Sequence, residues 1–159
     1  MAIYVKIDGI EGDATHESHK KWVDIGSMQF GVGRAISTPS GRAANREASE
    51  PSVSEITLTR ELDKSSPLFF KEAVVGKQGK KVQIDLVTTG DPGETYMTYE
   101  LENTLVSGYS VSANGQGRPS ETISLNFSKI TMSYTAHDAK NAASGAFRSS
   151  YDLATTKAG

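Results

Sequence analysis

The side chains best equipped for chemistry in this chain are three histidines, two close carboxylates and a scatter of serines. His16-Glu-Ser-His19 sets two imidazoles three positions apart, which raises the question of a metal ion. The order is not the His-Glu-x-x-His that lines two imidazoles and a carboxylate along one helix, and its polar surroundings predict a loop. His137 is remote in sequence, at the end of a strand pattern, and would join the other two only through the tertiary fold. Glu100 and Glu102 share one face of a strand pattern. They read as groups that meet solvent or a partner's cations rather than as an acid and a base. No serine stands in a Gly-x-Ser-x-Gly elbow, and Gly115-Gln-Gly117 lacks the strand, helix and third glycine of a dinucleotide fingerprint. The absence of cysteine removes disulfides, thiolate ligands and a thiol nucleophile together. The expectation is a protein that is not an enzyme, with no catalytic residues, no metal and no cofactor.

Length and composition bound the rest. At 159 residues the chain predicts one domain, 1–159, large enough to bury roughly 70% of the surface its unfolded form exposes. A net charge of −2, with lysines and arginines scattered along the chain, lacks the basic stripe that phosphate backbones require, so no nucleic-acid partner is expected. No stretch approaches the roughly 20 apolar residues of a membrane helix, so no membrane insertion is expected. The start, Met1-Ala-Ile-Tyr-Val-Lys-Ile7, has no cationic leader and reads as a strand, which predicts a protein made in the cytoplasm.

Strands dominate the elements that must position these groups. They are expected over residues 2–7, 22–32, 54–61, 81–88, 95–106, 108–112, 122–134 and 147–153. Residues 89–93 and 113–119 supply the glycines and prolines of turns. Residues 136–146, rich in Ala, Asn, Ser and Gly, predict a mobile connection. One helix interrupts the pattern: Ser66 stands where an N-cap belongs, Pro67 takes the first helical position and Gly76 ends it. Leu68, Phe69, Ala73 and one or both of Val74 and Val75 could form its apolar stripe.

Two strand patterns switch parity midway. Val23 and Ile25 give way to Met28, Phe30 and Val32; Ile123, Leu125 and Phe127 give way to Ile130, Met132 and Tyr134. A one-residue switch needs a bulge or bend, and such bends let one strand serve two packed sheets. The expected fold is therefore mainly β: a two-sheet β-sandwich or closed barrel with one short α-helix and a long protruding loop. Strands buried on both faces are the alternative.

Two surfaces follow. The parity turns Ser27, Gln29 and Gly31, and likewise Thr122, Ser124 and Asn126, away from the core; all are small or polar and uncharged. A solvent face usually carries charge that discourages association, so these residues suit a contact or a channel wall, or a solvated face that happens to lack charge. Residues 33–52 have neither helical nor strand period, and loops beyond about 12 to 15 residues in a compact domain are uncommon. Arg34, Arg42 and Arg46 outnumber Glu47 and Glu50 there, and arginine suits forked pairing with a neighbour's carboxylate. The segment reads as an assembly arm (Arg34, Pro39, Arg42, Asn45, Arg46, Glu47, Pro51) or as a surface insertion.

The run Arg60-Glu-Leu-Asp-Lys-Ser-Ser-Pro-Leu-Phe-Phe-Lys-Glu-Ala73 resembles the helix-entry signature of the haemolysin-coregulated proteins, inner-tube subunits of bacterial type VI secretion systems. Ile7-Asp-Gly-Ile-Glu-Gly12, His19-Lys-Lys-Trp-Val-Asp-Ile25, Tyr99-Glu-Leu-Glu-Asn-Thr-Leu-Val-Ser107, Glu121-Thr-Ile-Ser-Leu-Asn-Phe-Ser-Lys-Ile130 and Tyr134-Thr135 match in the same order. The resemblance implies hexameric rings stacked into a hollow tube, with the loop reaching an adjacent subunit. It also implies a contractile sheath outside, a spike protein at the tip, small effector proteins in the lumen, and secretion of the tube itself by the machine. A different class remains beside it: a monomeric β-sandwich binding carbohydrate on an aromatic platform of Tyr96, Tyr99 and Tyr109.

Overall fold

A computed structural model of the chain describes residues 1–37, 40–41, 47–90, 93–137 and 143–159, with the backbone alone at 47, 137, 143 and 144. In chain order the elements are β1 (Ala2–Ile7), β2 (Val23–Ile25), β3 (Ser27–Gln29), β4 (Val32–Gly33), β5 (Ile36–Ser37), β6 (Glu47–Ala48), β7 (Ser52–Val53), β8 (Ile56–Glu61), α1 (Ser66–Val75), β9 (Lys80–Val87), β10 (Thr95–Ser112), β11 (Ser120–Asn126), β12 (Lys129–His137), β13 (Ala143–Asp152) and β14 (Lys157–Ala158). Among the described residues all pairings are antiparallel. One sheet joins β2, β1, β9, β10, β12, β13 and β14; the other joins β10, β11, β8 and β3.

Three corners make two sheets from one chain, and two of them are the parity switches. Gly26 separates β2 from β3 and donates its N–H to the Thr59 carbonyl at 2.9 Å. Ser128 separates β11 from β12, donating its N–H to Glu102 and accepting from Leu153. The third corner lies inside β10, an 18-residue strand that belongs to both sheets. Its register with β9 slips between Leu101 and Thr104, where Asn103 takes the left-handed conformation with φ 52° that asparagine tolerates, and slips again at Ser107 against β11. The molecule is a two-sheet sandwich and not a closed barrel, because the ladder begins at β2 and ends at β3 with only the Gly26 corner between them.

The alternating side chains of both inner faces meet in one core. Val5, Val23, Ile56, Leu58, Val82, Ile84, Leu101, Ile123 and Leu125 are all at most 1% exposed, and each such burial contributes about 1.5–3 kcal/mol. Helix α1 inserts Phe69 into this core and rests Ala73 against it. The expected stripe fails otherwise: Leu68 (41% exposed), Val74 (65%) and Val75 (57%) face outward with Phe70 (57%). The N-cap is Ser65 rather than Ser66, and its side chain caps nothing; its hydroxyl serves Arg60 and Asp63 instead. Gly76 ends the helix in an extended conformation, φ −63°, and the position takes glycine because a Cβ there would lie 2.5 Å from the Glu72 carbonyl oxygen.

Residues 33–52 are not wholly irregular. Val32–Gly33 pairs with Ser52–Val53 and Ile36–Ser37 with Glu47–Ala48, so the protrusion has the root of a two-stranded ribbon. Its strands carry no alternation because Val32 and Ile36 are both exposed, leaving no buried face to impose a period. Strand pairing also continues into the expected mobile connection, as far as Ala136 opposite Gly145 and His137 opposite Ala143. Among the described residues no helix is long and apolar enough to cross a membrane.

Candidate functional site: an uncharged sheet face, apolar surfaces and a ribbon

The register of β3, β8, β11 and β10 brings the two sets of uncharged residues onto one sheet face. Ser27 lies opposite Thr59, Thr59 opposite Thr122, and Thr122 opposite Ser110; the next row runs Gln29, Thr57, Ser124, Gly108. The opposite faces of these strands bury Leu58, Ile123, Ile56 and Leu125, so both rows must look outward. Thr57 and Thr59 complete the rows and escaped sequence reasoning, although their period of two was visible. Acidic groups stand at the margins: Glu61, opposite Ser120 and 3.6 Å from Arg118, and Glu55, which accepts a hydrogen bond from the Ser107 hydroxyl. Gly31 lies beyond the face, at the ribbon root, where its N–H donates to Ser54 Oγ at 2.9 Å. Asn126 lies opposite Leu105 at the far end of β11.

Of the arm residues, Arg34 is exposed and Pro51 is half-buried; Glu47 sits in the ladder opposite Ser37. Pro39, Arg42, Asn45 and Arg46 lie outside the described residues. Pro51 helps line an almost wholly apolar groove with Phe30, Val32, Val53, Met132 and Tyr151, between the ribbon root and β12–β13. A second apolar surface is the outer side of α1, where Phe70 meets Tyr109 with ring centroids 6.1 Å apart. A helix apolar on both sides calls for cover beyond its own fold.

The groups considered for chemistry are placed differently. His19 is buried rather than in an open loop. Its Nε2 lies 2.8 Å from Asp85 Oδ2, its Nδ1 lies 2.8 Å from His16 Nδ1, and its ring stacks on Tyr4 and meets Trp22 edge-on. Asp85, 66 positions away, was beyond any local motif. Among the described residues no three His, Asp or Glu side chains are placed to hold a metal ion. Glu100 lies 3.5 Å from Arg148, and Glu102 is exposed. The three tyrosines do not share a platform. Tyr99 packs on the core beside Phe30, Tyr109 packs on it and donates its hydroxyl to Glu121, and Tyr96 turns to Tyr134. Burial raises the Tyr99 hydroxyl above its ordinary value, with Tyr96 adding to the effect.

This architecture defines a class: a small two-sheet β-sandwich hinged on one shared strand, with a single packed helix and a projecting ribbon. Comparison with known proteins narrows it. The family model described as "Type VI secretion system effector, Hcp" matches residues 4–134, and the chain belongs to that family. Protein hcp1 of Pseudomonas aeruginosa is 23% identical over 145 residues, which cover 90% of this chain and 88% of that one. A solved type six secretion system protein superposes with a TM-score of 0.93 at 25% identity, covering 99% of both chains. Hcp1 from Salmonella typhimurium gives 0.78 at 23% identity, covering 99% of this chain and 97% of that one. A type VI secretion system effector from Yersinia pestis gives 0.75 at 25% identity, covering 94% and 98%.

Proposed function

We propose that this chain is a structural tube subunit: copies close into hexameric rings, rings stack into a hollow tube, and the tube is expelled by the type VI machine. Its partners are then further copies of itself, a spike protein at the tip, contractile sheath proteins outside and small effector proteins within. The carrying observation is the two-row face of Ser27, Thr59, Thr122 and Ser110 beside Gln29, Thr57 and Ser124. Hydroxyls and an amide present water-compatible groups with no net charge, which lets a passenger pass or rest without strong adhesion. That is the property a lumen wall needs.

Self-association has separate support. The outer side of α1 and the groove under Pro51 are different surfaces on different elements. Covering one patch with the other on a neighbouring copy is a head-to-tail contact, and such contacts close into rings or run on as filaments. The ribbon, with Arg34 and Pro51 at its root and Pro39, Arg42, Asn45, Arg46 and Glu47 beyond, is the proposed arm to the next subunit. Negative-stain microscopy of the purified protein tests ring and central hole together. Annular particles are expected; a chain that stays monomeric at every concentration overturns the reading. Deleting residues 38–48 should lower particle mass by light scattering, and an unchanged mass rejects the arm.

A further inference from the structure

Residues 11–22 form a strap across the outer face of the β2–β1–β9 sheet, and two histidines fasten it. The strap has its own internal ladder: Gly12 N–H donates to the Lys21 carbonyl at 2.8 Å, Ala14 to Trp22 at 3.1 Å and Lys21 to Ala14 at 2.9 Å. Its hold on the sheet runs through His19 and His16, whose rings stack on Tyr4 at 4.8 Å and 5.3 Å.

With Asp85 ionised, the contacts assign the protons. Asp85 Oδ1 accepts from Gln83 Nε2 and from Thr98 Oγ1, both at 3.0 Å, while Oδ2 faces His19 Nε2. An ionised carboxylate only accepts, so His19 Nε2 carries hydrogen. A neutral His19 then presents a lone pair at Nδ1, and the contact to His16 Nδ1 at 2.8 Å requires a proton on the His16 side.

We propose that this pair is a one-proton latch: the strap stays fastened when the two rings hold one extra proton between them and opens when both become cationic. A single added proton leaves one N–H facing one lone pair across the Nδ1···Nδ1 contact, whichever ring carries the charge, and Asp85 supplies one balancing negative charge. A second proton sets N–H against N–H across 2.8 Å, and His16, the half-exposed ring, is the one free to leave.

Among the described residues no other group supplies a second counter-charge in contact with the pair. On β1 there is Tyr4, with Lys6 two residues on along the same face; on β2, Asp24 lies opposite Tyr4, and Asp85 on β9 lies opposite Tyr4 on the other side. On β10, Thr98 contacts Asp85, and Glu100 in the next row is 3.5 Å from Arg148. The β9–β10 turn brings Gly93 backbone beside His16 Nε2, with Glu94 adjoining. The strap itself carries Glu11, Asp13, Glu17, Lys20 and Lys21, all exposed, with Asp13 3.4 Å from Lys64. The latch stands whether or not the chain assembles.

Mass-spectrometric amide exchange on the intact protein, corrected for intrinsic pH dependence, tests this between about pH 8 and about pH 5. Histidine C2–H exchange run alongside reports which ring has gained its proton. Strap amides should hold their protection while the first proton binds, then exchange about tenfold faster once the second does. His16→Phe keeps a stacking ring without the proton and should stay fastened throughout; His16→Gln serves the same comparison if the phenylalanine variant fails to fold. Protection that is flat across the titration, or a variant that opens at the same pH as the parent, overturns the latch. So does stoichiometric uptake of added Zn²⁺, which would show that the facing nitrogens hold a metal rather than a proton.

Discussion

Arg60 and Glu121 face each other across the β8–β11 ladder as an ion pair sealed from solvent, with side chains 2% and 0% exposed. Asp63 holds the other side of the guanidinium at 2.8 Å, Ser65 Oγ accepts from Arg60 Nη2 at 2.6 Å, Tyr109 donates to Glu121, and the Phe69 ring lies 5.2 Å from the guanidinium carbon. One guanidinium thereby answers two carboxylates at the seat of α1. The cluster ties the helix entry to the sheet.

Removing Arg60 alone should therefore cost more than removing it together with Glu121. Arg60→Met leaves the Glu121 carboxylate, 0% exposed, buried without its cation and should lower stability by about 3–5 kcal/mol. Replacing Arg60 and Glu121 together with methionine and leucine should recover most of that loss. Urea melts of the two variants against the parent provide the comparison, and equal losses would contradict it.

Much of this was legible in the sequence, and the limits are physical. The corners at Gly26 and Ser128 were readable because Val23/Ile25 and Met28/Phe30, like Leu125/Phe127 and Ile130, turn to the core across a change of parity, although the far ends of both patterns do not: Val32 (63% exposed), Met132 (36%) and Tyr134 (47%) lie at the surface. The helix span followed from Pro67 and Gly76. Its buried face did not, since Leu68, Phe69, Phe70, Val74 and Val75 surround the axis and composition cannot choose a side. The ribbon escaped because exposed strands have no period. His19 escaped because its partner, Asp85, is brought to it only by β9 lying beside β1.

Acid should weaken the fold through Asp63. Burial alone would raise its carboxyl, but hydrogen bonds from Ser65 and the Arg60 guanidinium outweigh this and hold it below the ordinary value. A depressed carboxylate contributes stability above the unfolded value, about 3.9, and that contribution is lost as pH falls through the lower folded value. Asp63→Asn should be less stable at neutral pH and show a shallower decline in acid. Parallel acid titrations of denaturation midpoints check both.

Base should act through Tyr109. Its burial, the hydrogen bond it donates to Glu121 and the nearby carboxylate charge push its hydroxyl up to about 12. A raised folded value means the contribution is complete below the unfolded value, about 10, and disappears as pH rises toward the folded one. In Tyr109→Phe the highest phenol titration seen by ultraviolet absorbance should vanish, and stability between about pH 10 and about pH 12 should depend less on pH.

The wall rows offer a separation of function from folding. Thr122→Arg with Ser124→Arg alters half-exposed outward positions, so stability should move by no more than about 0.5 kcal/mol per site. Particle mass should be unchanged, while export of a passenger protein through the charged wall falls several-fold. Loss of the particle instead would move these residues from lumen to subunit contact.

β10 passes from one layer to the other without a break, taking β9 and β12 on its first half and β11 on its second. The layers cannot part like the covers of a book, because their common spine would have to be stripped along its whole length. Mechanical or thermal stress should accordingly produce one abrupt failure instead of a peeling sequence. Pulling a single molecule from its ends ought to register a solitary rupture.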